Sequence, residues 1–296
     1  FLNDGSGHYV QSAQIAVCSR SRDILSADLD ADGDGDLVFL CPYANQVWVM
    51  LNDGNASFGS PVGYDAGTYC QHLDSGDFDG DTDLDLVITN LYGVSIVNNN
   101  GDATFGPPIP HDAGIAIIAV TTGDFNNDGR VDIAVTNSSY WTISMLLNNG
   151  EGGFESLADY EIFEHPFTIE SADLDNDGDL DIIVNHTVFL NNGNGTLVRG
   201  ARIAVTDFGF GYVRDMNGDG TNDVLLRNSV PEPKAGAVDV FLNNGDATFG
   251  WGSRYYTYAG SCIVGADIDN DGDTDVVLSP HSTLSGIAVL KNRVVR

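Results

Sequence analysis

The sequence predicts an all-β protein, a β-propeller of six four-stranded blades closed by its own amino-terminal strand. Three observations carry that expectation. A loop rich in aspartate, followed at once by β-branched residues, occurs six times, starting at Asp28, Asp77, Asp124, Asp173, Asp215 and Asp267. A second signature, an Asn-Gly turn ahead of a Phe-Gly or similar pair, falls between these loops. No helical apolar period runs for a useful length. The loop starts are 49, 47, 49, 42 and 52 residues apart, the size of one propeller blade.

Each repeat reads as four strands. An apolar stretch such as Gly114–Gly123 leads into the aspartate loop as the first strand. Asp132–Thr136 (DIAVT) shows the second, and Ile143–Asn148 the third. The turn copies Met50–Gly59, Ile96–Gly106, Leu146–Phe154, Phe189–Leu197 and Phe241–Gly250 then open the fourth, because Asn-Gly suits hairpin turns that need positive φ. The chain opens on a further copy, Phe1–Tyr9, and closes on Ser285–Asn292, where a third strand ends. Residues 1–10 are therefore expected as the outer strand of the last blade, making 1–296 a single domain, with a seven-bladed ring as the alternative. Such closure replaces a fraying edge with sheet hydrogen bonds.

Composition narrows function. The chain has 296 residues, 12 Lys+Arg against 43 Asp+Glu, and a formal net charge of −31. That excludes nucleic-acid binding by phosphate neutralisation and docking of a polybasic patch on anionic membranes. Of the acids 37 are Asp and only 6 are Glu, which points to turns and metal loops rather than to a solvated helical surface. No apolar run reaches the ~18 residues that would insert in a membrane. The start at Phe1 without Met is expected of a trimmed chain whose targeting signal lies outside it. Cys18, Cys41, Cys70 and Cys262 allow one disulfide, Cys18 with Cys41 or Cys41 with Cys70, or buried reduced thiols.

The loops have nine positions. The first is Asp28, Asp77, Asp124, Asp173, Asp215 or Asp267, and the third is Asp30, Asp79, Asn126, Asp175, Asn217 or Asp269. The fifth is Asp32, Asp81, Asp128, Asp177, Asp219 or Asp271, and the ninth is Asp36, Asp85, Asp132, Asp181, Asp223 or Asp275. The seventh varies freely (Asp34, Asp83, Arg130, Asp179, Thr221, Asp273), as expected where a backbone carbonyl serves instead of the side chain. Alternating oxygen-bearing side chains converging on one point suit a hard cation that takes six to eight oxygens. All-oxygen ligands favour calcium over zinc or copper, with magnesium the lesser alternative. There is no EF-hand, since β-branched residues follow the ninth position and no glutamate stands at the twelfth. Acidic turns without metal would leave 26 of the 43 carboxylates in mutually repelling clusters. Thr82 replaces the glycine of the sixth position, so the loop at 77–85 is expected to be the weakest or distorted.

Sites with the ~10⁻⁴ M affinity of extracellular modules would each gain about 1.4 kcal/mol in millimolar calcium. Six ions would bring the net charge from −31 to about −19. Cytosolic calcium would leave such sites empty, so the expected compartment is extracellular, cell-surface or periplasmic.

At these residues the chain resembles the FG-GAP/VCBS repeat family: D-x-[DN]-x-D-G-x-x-D with β-branched residues after it, then LNNGDATFG. The resemblance spans essentially the whole chain. It implies a propeller whose calcium loops join the first two strands of each blade, with ligands on the opposite face or between blades. Against the family pattern stand Thr82, Arg214 ahead of the fifth loop and the insertion Asn228–Ala237.

No catalytic constellation emerges. His8, His72, His111, His165, His186 and His281 occupy unrelated repeat positions, and no G-x-S-x-G or phosphate loop occurs. The carboxylate pairs are absorbed by the metal loops. The expected function is a non-catalytic binding or adhesion module for protein or glycan. A structural subunit that self-assembles through its outer strand, and a calcium-dependent lectin, are the alternatives. Tyr43, Tyr92, Tyr140 and Trp141, on turns opposite the calcium loops, could form an aromatic platform for sugar or protein, or pack between blades. Sequons stand at Asn55, Asn137, Asn185 and Asn194.

Overall fold

The computed structural model describes residues 2–3, 9–10, 17–18, 21–55, 57–205, 211–228, 236–257, 260–266, 274–280 and 288–290. All regular structure among them is β. The first hairpin is β1 (Leu2–Asn3) and β2 (Tyr9–Val10). Four-stranded sheets follow: β3 (Asp23–Ala27), β4 (Asp36–Cys41), β5 (Gln46–Met50) and β6 (Val62–Asp65); then β7 (Leu73–Gly76), β8 (Asp85–Asn90), β9 (Gly93–Val97) and β10 (Ile109–His111). The third holds β11 (Ile117–Gly123), β12 (Asp132–Asn137), β13 (Thr142–Asn148) and β14 (Phe154–Glu161). The fourth holds β15 (Ile169–Ala172), β16 (Asp181–Val184), β17 (Thr187–Asn191) and β18 (Leu197–Arg202). The fifth holds β19 (Gly211–Arg214), β20 (Asp223–Asn228), β21 (Gly236–Asn243) and β22 (Phe249–Thr257). The last sheet has three strands, β23 (Gly260–Ala266), β24 (Asp275–Pro280) and β25 (Ala288–Leu290).

The fold is thus an all-β β-propeller, with one correction. Among the described residues five sheets have four strands, not six. Among the described residues neither β1 nor β2 pairs with β25. Leu2 pairs with Val10 and Asn3 with Tyr9 in their own antiparallel hairpin. The physical reason is local: β1 and β2 lie only a few residues apart in sequence, so pairing them closes only a short loop. Closing a short loop costs far less entropy than closing one across the chain.

The chain divides into two compact units, Ile15–Ile169 with Asn192–Thr196, and Phe1–Gln14 with Glu170–Asn191 and Leu197–Arg296. In the first unit the inner strands are buried on both faces, β9 at every position and β12 likewise. This explains their nearly continuous apolar runs. Val38, Val49, Leu86, Ile88 and Phe105 form one core cluster, and Phe78, Val87, Ile133, Val135 and Leu146 the next. In the second unit Leu174, Ile183, Val224, Leu226 and Phe241 do the same. Burying each such side chain stabilises by roughly 1.5–3 kcal/mol. The fourth strands are only half-covered, as the alternation along β14 shows.

The Asn-Gly signature is a longer turn than a two-residue hairpin. Five residues separate the bridged pairs Asn52–Phe58 and Asn99–Phe105. The turns close through Asn100 N–H to Thr104 O (2.9 Å) and Asn244 N–H to Thr248 O (2.9 Å). Only the glycine of the Asn-Gly pair takes positive φ, as at Gly101 (81°). In each of the five four-stranded sheets the aspartate loop and this turn leave one end of the strands. The second-to-third-strand turns and the links to the next sheet leave the other.

Candidate metal centres

Each described aspartate loop is a cage of backbone hydrogen bonds around carboxylates. The first-position carboxylate accepts the N–H of position six: Gly33 to Asp28 (3.1 Å), Thr82 to Asp77 (3.0 Å), Gly129 to Asp124 (2.8 Å), Gly178 to Asp173 (3.2 Å) and Gly220 to Asp215 (2.9 Å). The fifth-position carboxylate accepts the N–H of position seven, at 2.9 Å in Asp32 and 3.0 Å in Asp81 and Asp128. Asp177 and Asp219 accept it at 2.9 and 2.8 Å. The chain can fold this tightly because two positions take positive φ. One is the sixth; the other, which sequence reading missed, is the fourth: Ala31, Gly80, Asn127, Asn176 and Gly218.

Thr82 carries a φ of 79°, a strained value for a β-branched residue. The expected distortion does not occur. Its N–H makes the same bond as the glycines do, so the strain is held in one residue and the loop keeps its shape.

The ninth-position aspartates are fully buried. One oxygen of each accepts the N–H of position two: Leu29 to Asp36, Phe78 to Asp85, Phe125 to Asp132 and Met216 to Asp223 at 3.0 Å, and Leu174 to Asp181 at 2.9 Å. The other accepts from the asparagine that ends the third strand: Asn52, Asn99, Asn191 and Asn243 at 2.8 Å, and Asn148 at 2.7 Å. Desolvation pushes Asp85, Asp132 and Asp181 up to about 6, against the pull of these bonds, and raises Asp223.

Those asparagines were legible only as turn residues. Their side chains staple neighbouring sheets. Asn99 Nδ2 donates to Leu29 O (2.7 Å), Asn148 Nδ2 to Phe78 O (2.9 Å) and Asn243 Nδ2 to Leu174 O (2.7 Å). An asparagine at the same repeat position in all five turns, two residues before the positive-φ glycine, was the available signal.

Three loops gather carboxylate oxygens within 4.8 Å of one another: Asp28, Asp30 and Asp32; Asp77, Asp79 and Asp85; Asp173, Asp175 and Asp181. These clusters could hold metal ions. Asp30 Oδ1 and Asp173 Oδ1 are buried without any hydrogen-bond donor, which fits a cation at that point. Desolvation, then the neighbouring carboxylates, raises Asp30, Asp79 and Asp175. In the third and fifth loops an asparagine replaces the third carboxylate. Asn126 Nδ2 donates to Asp128 (3.1 Å) and Asn217 Nδ2 to Asp219 (2.9 Å). Arg130 also pairs with Asp128 at 2.9 Å.

Position-seven side chains lie outside the three clusters. A Cβ on Gly54 or Gly101 would collide with the carboxylate of Asp34 or Asp83, and one on Gly150 with the Arg130 guanidinium. In the sixth loop Asp275 is buried, whereas Asp267, Asp269, Asp271 and Asp273 lie outside the described residues.

At the opposite strand ends Tyr43, Tyr92, Tyr140 and Trp141 are all exposed. Three further exposed aromatics, Tyr69, Phe163 and Phe167, stand there on links between sheets, and sequence reading missed them. Of the four sequons, Asn55 and Asn194 are exposed and Asn137 and Asn185 buried. Cys18 and Cys41 form a disulfide, with Cα atoms 6.3 Å apart, while Cys70 is a free, buried thiol. Among the described residues no helix is long and apolar enough to cross a membrane.

The FG-GAP-like repeat pattern matches residues 28–88, 77–135, 124–184 and 215–278, each match running from one aspartate loop into the second strand of the next sheet. The chain belongs to the FG-GAP repeat family. No curated protein matches its sequence significantly. Among solved structures, an Agrocybe aegerita lectin described as recognising non-reducing terminal N-acetylglucosamine superposes with a TM-score of 0.61 at 24% identity, covering 92% of this chain and 80% of that one. BBS1N, solved in complex with ARL6DN, gives 0.54 at 11% identity, covering 100% and 97%. The Photorhabdus luminescens Tc holotoxin pore gives 0.52 at 17%, covering 93% and 14%. At these identities the fold is shared, and nothing more.

Proposed function

We propose that this FG-GAP protein is a secreted, calcium-stabilised, non-catalytic binding module that takes a protein or glycan ligand on the strand ends opposite its aspartate loops. One observation carries the reading. In the unit Ile15–Ile169 all seven exposed aromatics among the described residues stand at that end, and none at the loop end. Tyr69, Trp141 and Phe163 sit there at φ of 60°, 57° and 66°. Bulky residues in that region are strained, and such strain gathers at binding sites. Where Trp141 closes its turn, the first and second sheets use Asn45 and Gly93, which adopt positive φ cheaply. Trp141 is therefore at that position for its ring.

Calcium would be held by the first-, third-, fifth- and ninth-position oxygens, supplying the positive charge the clusters lack. The disulfide and the millimolar calcium such sites need both favour secretion. The lectin fold neighbour supports glycan as one ligand class.

The test has two arms. Calorimetric titration should show calcium binding, and chelation should lower Tm; no heat and no shift would remove the metal. Capture from a glycan array or a surface-protein library should fall for Trp141→Ala and Tyr140→Ala. Capture unchanged by both would refute the aromatic end as the binding surface.

A further inference from the structure

The second sheet carries two cavities that share a wall. One, of about 430 Å³, is lined by Tyr92, Pro110, His111, Asp112, Gly114 and Ile115. The other, of about 320 Å³, lies against Thr68, Asn90, Ser95 and again Tyr92 and Pro110. The Tyr92 side chain, 72% exposed, stands between them. Both belong to the unit Ile15–Ile169 and open at the strand ends away from the metal loops.

We propose that this pair of cavities is a subsite for a neutral saccharide, one ring on each side of Tyr92. The inference rests on the binding-module reading and is independent of calcium. Size is the first argument, since each cavity has the volume of one or two sugar rings and lies within or near the usual range for small-ligand pockets. Chemistry is the second. A sugar ring pairs an apolar C–H face with a rim of hydroxyl donors. Tyr92 and Pro110 offer the flat apolar wall, and the polar groups beside them are mostly acceptors. Asp112 uses one oxygen on Gly114 N–H (3.0 Å) and is exposed. Asn90, in the wall of the smaller cavity, turns its Nδ2 to Ser95 Oγ (2.7 Å), so its amide donor is already engaged.

Charge is the third argument. No Lys or Arg lines either cavity, so a uronate or sialate would meet Asp112 unopposed. One carboxylate among prolines and aromatics is too few for a cationic peptide. A strand-adding protein is disfavoured as well, because Pro110 sits in the outer strand β10 opposite Ser95 and cannot donate to a new strand. Burial holds the His111 imidazole below its ordinary range, and its ring lies edge-on to Phe154.

Saturation-transfer NMR with methyl glycosides of neutral hexoses and N-acetylhexosamines, against methyl glucuronide and methyl sialoside, tests this. Neutral glycosides should show transfer and the acidic ones little or none. Tyr92→Ala should weaken binding by about tenfold or more, Tyr92→Phe by less than about threefold, and Leu157→Ala, on the exposed outer strand β14 and outside both cavities, should leave it unchanged. Far-UV circular dichroism of each variant separates lost binding from lost fold. No transfer to any neutral glycoside, equal binding of the acidic ones, or wild-type affinity in a folded Tyr92→Ala protein would overturn the subsite. If glycosides fail while a protein partner is captured through Trp141, the binding module stands and the saccharide subsite falls.

Discussion

Asp132 and Asn148 are joined through the backbone. Asn148 N–H donates to Asp132 Oδ1 at 2.7 Å across 16 residues of sequence, while Phe125 N–H holds Oδ2 at 3.0 Å. The last carboxylate of the loop is therefore a structural joint as well as a candidate ligand. It ties the loop to the third strand, and Asn148 then reaches the preceding sheet at Phe78 O.

Removing that staple should be expensive. Asn148→Ala leaves Phe78 O and Val131 O without their donor in a buried setting. The expected loss is about 2–4 kcal/mol, read as a lower urea midpoint with an unchanged m-value. A loss below about 0.5 kcal/mol would show that water replaces the amide without penalty.

The buried aspartates give the metal-free protein an inverted acid response. Asp85, Asp132 and Asp181 titrate near 6 when folded, against an ordinary 3.8, and Asp223 is raised too. Between those values the folded state holds more protons than the unfolded one, so stability rises as pH falls. His111, lowered by burial, opposes this as a single group. Asp102 and Asp246, lowered by bonds from Thr104 and Thr248, lose their contribution only below their ordinary range. In chelator Tm should be higher at pH 5 than at pH 7. In calcium the order should reverse, because protons compete for the same oxygens. A chelated protein that melts lower at pH 5 would contradict the role given to these carboxylates.

Thr82→Gly removes the one β-branched residue held at positive φ in the loops. The backbone already has the glycine conformation, so relief of strain should outweigh the entropy glycine adds to the unfolded chain. Expected is a gain of about 1 kcal/mol and tighter calcium binding, both measurable in one thermal-shift titration. A fall in Tm would mean that the Thr82 side chain stabilises its loop.

Trp141→Asn should separate stability from binding. Asparagine closes the equivalent turn of the first sheet at Asn45, so Tm should hold or rise by the equivalent of about 0.5–1 kcal/mol. Ligand capture should drop. A variant that loses stability would show that the exposed Trp141 ring packs productively on its neighbours.

Much of this architecture was legible because it repeats. A loop pattern recurring at blade-sized intervals, followed by Asp132–Thr136 and its equivalents, marks a first-to-second-strand connection each time. The freedom at position seven, where Arg130 and Thr221 stand beside aspartates, pointed to a side chain with no fixed role in its loop. The structure shows where those side chains go, against Gly150 and its counterparts. What repeats less was less legible. Phe1–Val10 carry the turn signature, but whether they pair with β25 or with themselves depends on competition between a local and a distant strand. The local one wins.

By itself the sequence determined the β-propeller class, the FG-GAP repeat and the loop positions where carboxylates gather. These depend on residue type at fixed short spacing, which a linear string records. Only the tertiary structure decided that the ninth-position aspartates are buried joints, that asparagines such as Asn99 staple one sheet to the next, and that Tyr69 and Phe163 share an end with Tyr92 and Trp141. Those relationships join residues as many as 70 positions apart. Burial and hydrogen bonding across such distances arise only when sheets stack, because stacking removes water from both partners at once.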